Sequence, residues 1–238
     1  MTTNDSGEAR SVTESQAGGE SPAADHNRTF NNVTVVDHPL VAHKITMLRD
    51  ESTDSKSFRA LCQEVTLLTA YEALRHLPTH EISVKTPVAE TQSPVLSGLA
   101  PAIVGILRAG LVMVEAILTL IPHGRVGHLG LYRDPETHRP VEYYRKLPEN
   151  IEQREVLLVD PMLATGGSAV QALDVLAEAG VTNARMLAII GCPEGIAAVQ
   201  SAHPNVHITL AALDPRLNSS AYIVPGLGDA GDRIYGTK

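Results

Sequence analysis

Residues 156–168 read VLLVDPMLATGGS, four apolar residues followed by an acid, a short spacer and two glycines between hydroxyl-bearing side chains. The apolar run reads as a buried strand with Asp160 at its carboxyl end, and the helical pattern beginning at Ser168 puts the glycines at a strand-to-helix turn. Such a turn can bind a phosphate. Gly166 and Gly167 let backbone N–H groups approach an anion with no Cβ in the way, Thr165 and Ser168 add hydroxyl donors, and the helix contributes its positive end. Asp160, beside this nest, is positioned to accept hydrogen bonds from sugar hydroxyls. An isolated TGGS is equally a helix cap, but the strand and acid ahead of it favour the phosphate reading.

Other chemistries find little support. No GxxxxGK[ST] occurs, so a nucleoside triphosphatase is disfavoured. The ten histidines form no HExxH or HxE pattern, and neither CxxC nor GxSxG is present, which leaves zinc and serine hydrolases without a basis. His38 and His43 read as structural. GLGDAG at 226–231 matches GxGxxG letter for letter, but the chain ends seven residues later, so no helix or βαβ unit is expected after it and dinucleotide binding is rejected.

The elements that must position the phosphate turn repeat one theme, an apolar strand running through a small-residue turn into a helix. AIVGIL passes through RAG into LVMVEAILTL, EVLLVD through PMLATGG into SAVQALDVLAEAG, and ARMLAII through GCPEG into IAAVQSAH. That alternation predicts parallel strands joined by right-handed crossovers, with ligands at the carboxyl ends of the strands. VGHLGLYR and VEYYRK flank the turn-rich DPETHRP and suggest a β-arm leaving the sheet; VHITLAAL reads as a last strand before a Gly-rich C-terminal segment. Ahead of these units, Thr53 and Asp54 form a plausible cap for a helix carrying Phe58, Leu61, Cys62, Val65, Leu68 and Tyr71 on one face. Cys62, on that face, reads as a buried small hydrophobe.

Composition agrees with an α/β core. Hydrophobic residues make up 43% of the 238, with aromatics at 3% and no Trp, so the core must be built from Ala, Val, Ile and Leu, as in buried parallel sheets. A formal charge of -8 argues against a nucleic-acid partner, which needs a basic surface. The longest apolar stretches, such as residues 111–122, fall short of the ~20 residues that span a bilayer. No secretory signal is expected, and Cys62 and Cys192 make no disulfide framework, so a cytoplasmic, reduced protein is expected. Residues 1–30, with five acids, two arginines and almost nothing to bury, are expected to be a disordered tail.

DPMLATGGS, PAIVGILRAG, the HPL near the start of the fold and the closing PGLGDAGDRIYGTK together resemble the type I phosphoribosyltransferases, and within them the uracil phosphoribosyltransferase family. The likeness covers about residues 34–238, with the motifs in the family's order. Pro161 stands where many of the superfamily carry a second acid, a substitution the uracil enzymes share. The resemblance implies an α/β parallel-sheet fold with a β-arm and a C-terminal base-binding segment, forming one domain over 31–238. It implies conversion of uracil and 5-phosphoribosyl 1-pyrophosphate (PRPP) to UMP and pyrophosphate in pyrimidine salvage, with Mg²⁺ held mainly through the pyrophosphate of PRPP.

Residue by residue, the resemblance assigns PRPP to Asp160, Pro161, Met162, Leu163, Ala164, Thr165, Gly166, Gly167 and Ser168, together with Asp229. Arg108 and Arg133, at the roots of two loops, would share the charge of the leaving pyrophosphate through planar forks, making Asp160, Arg108 and Arg133 the catalytic set. Ile223, Gly228, Asp229 and Ala230 would bind uracil. An arbitrary arginine is by default a surface salt bridge; position beside matched motifs reverses that for these two. Tyr144, Arg145 and Lys146 read as readily as a solvated strand and are not assigned to the site. A homo-oligomer is also implied, and GTP is raised as an effector. Two alternatives stay open: a regulator of the same fold that binds RNA or DNA, and a sibling transferase that uses another base.

Overall fold

The structure, a computed structural model, describes residues 30–133 and 140–237. The tail expected over residues 1–30 lies outside the described residues except for Phe30, which packs against the core.

In chain order the elements are β1 (Val33–Val35), α1 (Pro39–Arg49), α2 (Ser55–Ala73), β2 (Thr79–Lys85), β3 (Glu90–Leu96), β4 (Ala102–Leu107), α3 (Leu111–Leu120), β5 (Arg125–Arg133) and β6 (Pro140–Lys146). After them come β7 (Val156–Val159), β8 (Met162–Leu163), α4 (Gly167–Glu178), β9 (Ala184–Gly191), α5 (Pro193–Ala202), β10 (His207–Leu213), β11 (Arg216–Leu217), β12 (Ile223–Val224) and α6 (Ala230–Tyr235). The three strand–turn–helix units are therefore β4–α3, β7–α4 and β9–α5, as the alternation predicts.

The main sheet runs β1-β10-β9-β7-β4-β5-β6, with β8 pairing on β9. Every neighbour is parallel except the β5–β6 pair. All four residues of β7 and the first five of β4 are buried, because helices cover both faces and a strand there needs no polar side. One apolar layer joins α1, α2, α3 and α6 to the sheet, and the other joins α4 and α5.

Local chemistry fixes the helix starts. Asp54 caps α2, its carboxylate accepting the N–H groups of Lys56 at 2.9 Å and Ser57 at 3.0 Å. Phe58, Leu61, Cys62 and Val65 are buried along one stripe, whereas Tyr71 is 70% exposed and lies off it. Burial pushes the Cys62 thiol up to about 12, in keeping with a packing role. His38 caps α1 by accepting the Leu40 N–H, with Pro39 in the first turn, so this histidine is structural.

VGHLGLYR and VEYYRK pair antiparallel as β5 and β6; up to Gly130 they continue the main sheet at its edge, and beyond it Leu131–Arg133 with Pro140–Glu142 run past the end of β4 as a two-stranded arm. Two features differ from the sequence reading. The hairpin that stands apart is β2–β3, whose mixed charged and apolar residues offer no run long enough to signal a core strand. A short helix, α6, does follow within GLGDAG, although no βαβ unit does.

Candidate active site

Three separate stretches, joined by Leu131 of β5, meet at the carboxyl end of the sheet around a cavity of about 300 Å³. The end of β4 and the turn after it supply Ile106, Leu107, Arg108 and Ala109. The β7–α4 connection supplies Asp160, Met162, Ala164 and Ser168. The C-terminal segment supplies Ala221, Tyr222, Ile223, Gly228, Asp229, Ala230 and Gly231.

Asp160 leaves β7 with its backbone N–H donating to Leu187 O at 3.3 Å. Burial is the main influence on its carboxyl and raises it to about 7, while a hydrogen bond from the Met162 N–H acts the other way. Around the turn, α4 makes its first ladder bond from Val170 N–H to Gly166 O at 2.9 Å. The N–H groups of Gly167, Ser168 and Ala169 thus precede the ladder and form the helix's anion-seeking end.

Gly166 has φ +81, and a Cβ there would lie 2.7 Å from the Ala198 Cβ and 2.9 Å from Gly195 O. The residue must be glycine both for its left-handed backbone and because the turn rests directly on α5. That is a packing demand, where the sequence suggested only access for an anion.

Not every expected residue faces the cavity. Pro161 is buried, and its carbonyl accepts the N–H groups of Ile189 and Ile190, tying the turn to β9. Leu163, 1% exposed, belongs to the core. Thr165, Gly166 and Gly167 sit on the same turn but outside the cavity lining. Arg133 ends β5; its side chain lies outside the described residues.

Arg108 lies 3.9 Å from Asp232 through Nη2 and Oδ1, and its guanidinium sits 5.8 Å from the centroid of the Tyr235 ring. The Tyr235 hydroxyl donates to the Arg108 carbonyl at 3.0 Å, joining α6 to the arginine turn. Asp229 caps α6 by accepting the Asp232 N–H at 2.9 Å and also lines the cavity. Ile223 and Ala230 are each 3% exposed and close the same wall.

Behind that wall stand residues the sequence reading missed. Asp214, 3% exposed, accepts both Nη groups of Arg49 at 2.6 and 2.8 Å and also the Gly226 N–H at 2.8 Å. Arg49 also donates to Gly226 O at 3.0 Å. Gly226 has φ +65, and a Cβ there would approach the Ile223 carbonyl to 2.1 Å, so only glycine fits this clamped turn. Arg233 lies 4.1 Å over the Phe58 ring and donates to the carbonyls of Leu48, Asp50 and Leu227. Neither Arg49 nor Asp214 stands in a recognisable motif, and they are 165 residues apart. Their pairing had no local signal.

The comparisons with known proteins agree with one another. The family model "Uracil phosphoribosyltransferase" matches residues 35–237. The uracil phosphoribosyltransferase of Alkaliphilus metalliredigens is 58% identical over 209 residues, covering 88% of this chain and all of that protein. That of Thermus thermophilus is 58% identical over 206 residues, covering 87% of this chain and 99% of its own length. Among solved structures, the AQ2163 protein from Aquifex aeolicus superposes with a TM-score of 0.82 at 34% identity, covering 87% of this chain and 99% of that one. With a family model spanning nearly all of the fold and relatives matched end to end, the chain belongs to the uracil phosphoribosyltransferase family.

Proposed function

We infer that this protein is a glycosyltransferase that joins uracil to the anomeric carbon of PRPP, releasing pyrophosphate and forming UMP for pyrimidine salvage. The observation that carries the reading is convergence: the strand-end acid with Met162, Ala164 and Ser168 of the turn that follows it, the Arg108 turn and the C-terminal segment line one cavity. A regulator built on the same fold would need only part of that constellation.

The C1–O bond to pyrophosphate breaks as N1 of uracil bonds to C1, so positive charge develops on the ribose and negative charge on the leaving group. The N–H groups that open α4, with the Ser168 hydroxyl, suit the 5-phosphate. Asp160 accepts from the ribose hydroxyls and, as a carboxylate, offsets the charge on the sugar. Arg108, whose side chain is 59% exposed, is able to turn its fork towards the leaving pyrophosphate. Arg133 is proposed as a second fork from its place at the end of β5. The C-terminal wall orients the base through backbone groups near Gly228 and Ala230, so that N1 faces the anomeric carbon; this is a positioning contribution.

Magnesium fits the donor set. Asp160 and Asp229 bring carboxylate oxygens to the cavity, and Mg²⁺ is typically held by one or two carboxylates plus substrate phosphates. Among the described residues no cluster of three or more His, Cys, Asp or Glu side chains is suited to hold a metal alone; in this reading PRPP itself carries most of the coordination. When bound, the ion would neutralise charge on the leaving pyrophosphate.

Assembly as a homo-oligomer is part of the same reading. A two-stranded hairpin is marginal in water by itself, and β2–β3 exposes Ile82, Val95 and Leu96, with Val88 at its turn 94% exposed. GTP as an effector is carried over from the family likeness. A cytoplasmic setting is supported by two free, buried cysteines.

The test supplies the protein with PRPP, Mg²⁺ and uracil and measures both products. UMP and pyrophosphate in equal amounts are expected; pyrophosphate without nucleotide, or neither product, would overturn the reading.

A further inference from the structure

The first turn of α5, residues 192–195 (CPEG), lies outside the cavity lining but touches both halves of the site. On one side it underlies the phosphate turn. The Cys192 N–H donates to Leu163 O at 3.2 Å, and the Cys192 Sγ lies 3.1 Å from Ala164 O. A Cβ on Gly195 would lie 2.5 Å from Ala164 O and 2.6 Å from Leu163 O, so the two backbones meet with no room for a side chain. On the other side, Glu194 Oε1 accepts the Leu217 N–H at 3.1 Å. Leu217 pairs with Ile223 across β11 and β12, and Ile223 lines the cavity. The hairpin turn continues through Asn218, whose Oδ1 accepts the N–H groups of Ser220 and Tyr222 at 2.9 Å each, to Ala221 and Tyr222, two further cavity residues.

One helical turn therefore holds the carbonyls behind the phosphate turn and the strand that carries the base wall. The distance between the anomeric carbon and N1 depends on the register of these two walls, and an error of ~1 Å in such a distance costs on the order of 10² in rate. We propose that this turn sets that register, with Glu194 a positioning residue for the base wall and Gly195 a positioning residue for the phosphate turn. Glu194 touches no reacting atom. As an acid in the first turn of a helix it is stabilised where it stands, and its carboxylate fixes β11 through one accepted hydrogen bond.

The inference rests on the transferase reading, and its test separates the two. KM for uracil, KM for PRPP, kcat and Tm are measured for the wild type and for Glu194→Ala, Glu194→Gln and Gly195→Ala. Glu194→Ala is expected to raise the uracil KM about three- to tenfold, the range for losing one hydrogen bond, with the PRPP KM within about twofold. Glu194→Gln keeps an amide oxygen at the acceptor position and is expected to restore most of the uracil KM. Gly195→Ala is expected to raise the PRPP KM more than the uracil KM. Because Glu194 is exposed, its variants keep the test decisive should Gly195→Ala fail to fold. Equal changes in both KM values with Glu194→Ala, a loss of Tm alone, or no rescue by Gln would refute the proposal. A wild type that makes no UMP would refute the transferase reading instead.

Discussion

Asp214→Ala removes the anchor of the base wall. The carboxylate is 3% exposed and satisfies three donors, two from Arg49 and one from Gly226. Breaking a buried ion pair from one side costs ~3–5 kcal/mol when the remaining charge stays buried. The Arg49 side chain keeps 27% exposure and can reach water, so the lower end, about 3 kcal/mol, applies to the pair. Leaving the Gly226 N–H without its acceptor adds about 1 kcal/mol. For a domain of this size each kcal/mol shifts Tm by roughly 2–4 °C, so a fall of about 8–15 °C is expected by calorimetry or circular dichroism. The turn at Gly226 leads directly into Gly228 and Ala230, so the uracil KM should rise more than the PRPP KM. Arg49→Ala should reproduce most of the loss, and the double variant should cost less than the sum, because both substitutions break one interaction. A Tm within about 2 °C of wild type together with an unchanged uracil KM would refute the clamp.

Asp160→Asn should abolish most turnover while raising the stability of the ligand-free protein at neutral and higher pH. The folded carboxyl is raised to about 7 from 3.8, so the folded state holds its proton more tightly than the unfolded chain; this contribution is complete below pH ~4 and is lost as pH rises towards ~7. The wild type should therefore lose up to about 4 kcal/mol across that window through this group, less to the extent that solvent reaches the carboxyl at the mouth. Urea unfolding at pH 5 and pH 8 measures it, and a variant whose pH dependence parallels the wild type would contradict the assignment. Gly166→Ala should cost roughly 2–5 kcal/mol, from left-handed backbone strain and overpacking against Ala198, and should raise the PRPP KM; a neutral effect on both would show that the turn can move off α5. Arg108→Ala should lower kcat/KM by about 10², the scale for one preorganised charge-stabilising donor, and Arg108→Lys should restore little of it. Full rescue by Lys would mean that only a point charge matters.

What the sequence revealed and what it hid follow from the range over which each signal acts. The β4, β7 and β9 units were legible because an apolar run, a small-residue turn and a helical period all fall within one contiguous stretch. Asp160, Arg108 and the Ile223–Ala230 wall were legible as motifs, and the fold brings them to one cavity. The hairpin β2–β3 was missed because ETQSPVL is neither alternating nor uniformly apolar, and its exposed residues carry no core signature. The β5–β6 arm is legible because two strand-like runs flank one turn-rich stretch, but the point at Gly130 where it parts from β4 has no sequence signal. Gly166 was credited with anion access alone, because the presence of Ala198 beneath it is a tertiary fact. The Arg49–Asp214 clamp and the Glu194–Leu217 bond likewise join distant residues without any motif.

The central claim is that the three-walled cavity transfers phosphoribosyl to uracil, and the ratio of kcat/KM for uracil against cytosine tests it most directly. The two bases differ at position 4 by a carbonyl acceptor against an amino donor, and at N3 by a donor against an acceptor. A wall that reads the base through backbone N–H and C=O groups cannot reverse its polarity, so cytosine would leave both partners unpaired. Sites built to hydrogen-bond a substrate reject such an analogue by roughly 10⁴ or more. With PRPP and Mg²⁺ present, pyrophosphate release is expected to be strong with uracil, measurable with 5-fluorouracil, and negligible with cytosine, orotate and purines. Comparable kcat/KM for cytosine, or turnover with a purine alone, would contradict the account of the base wall.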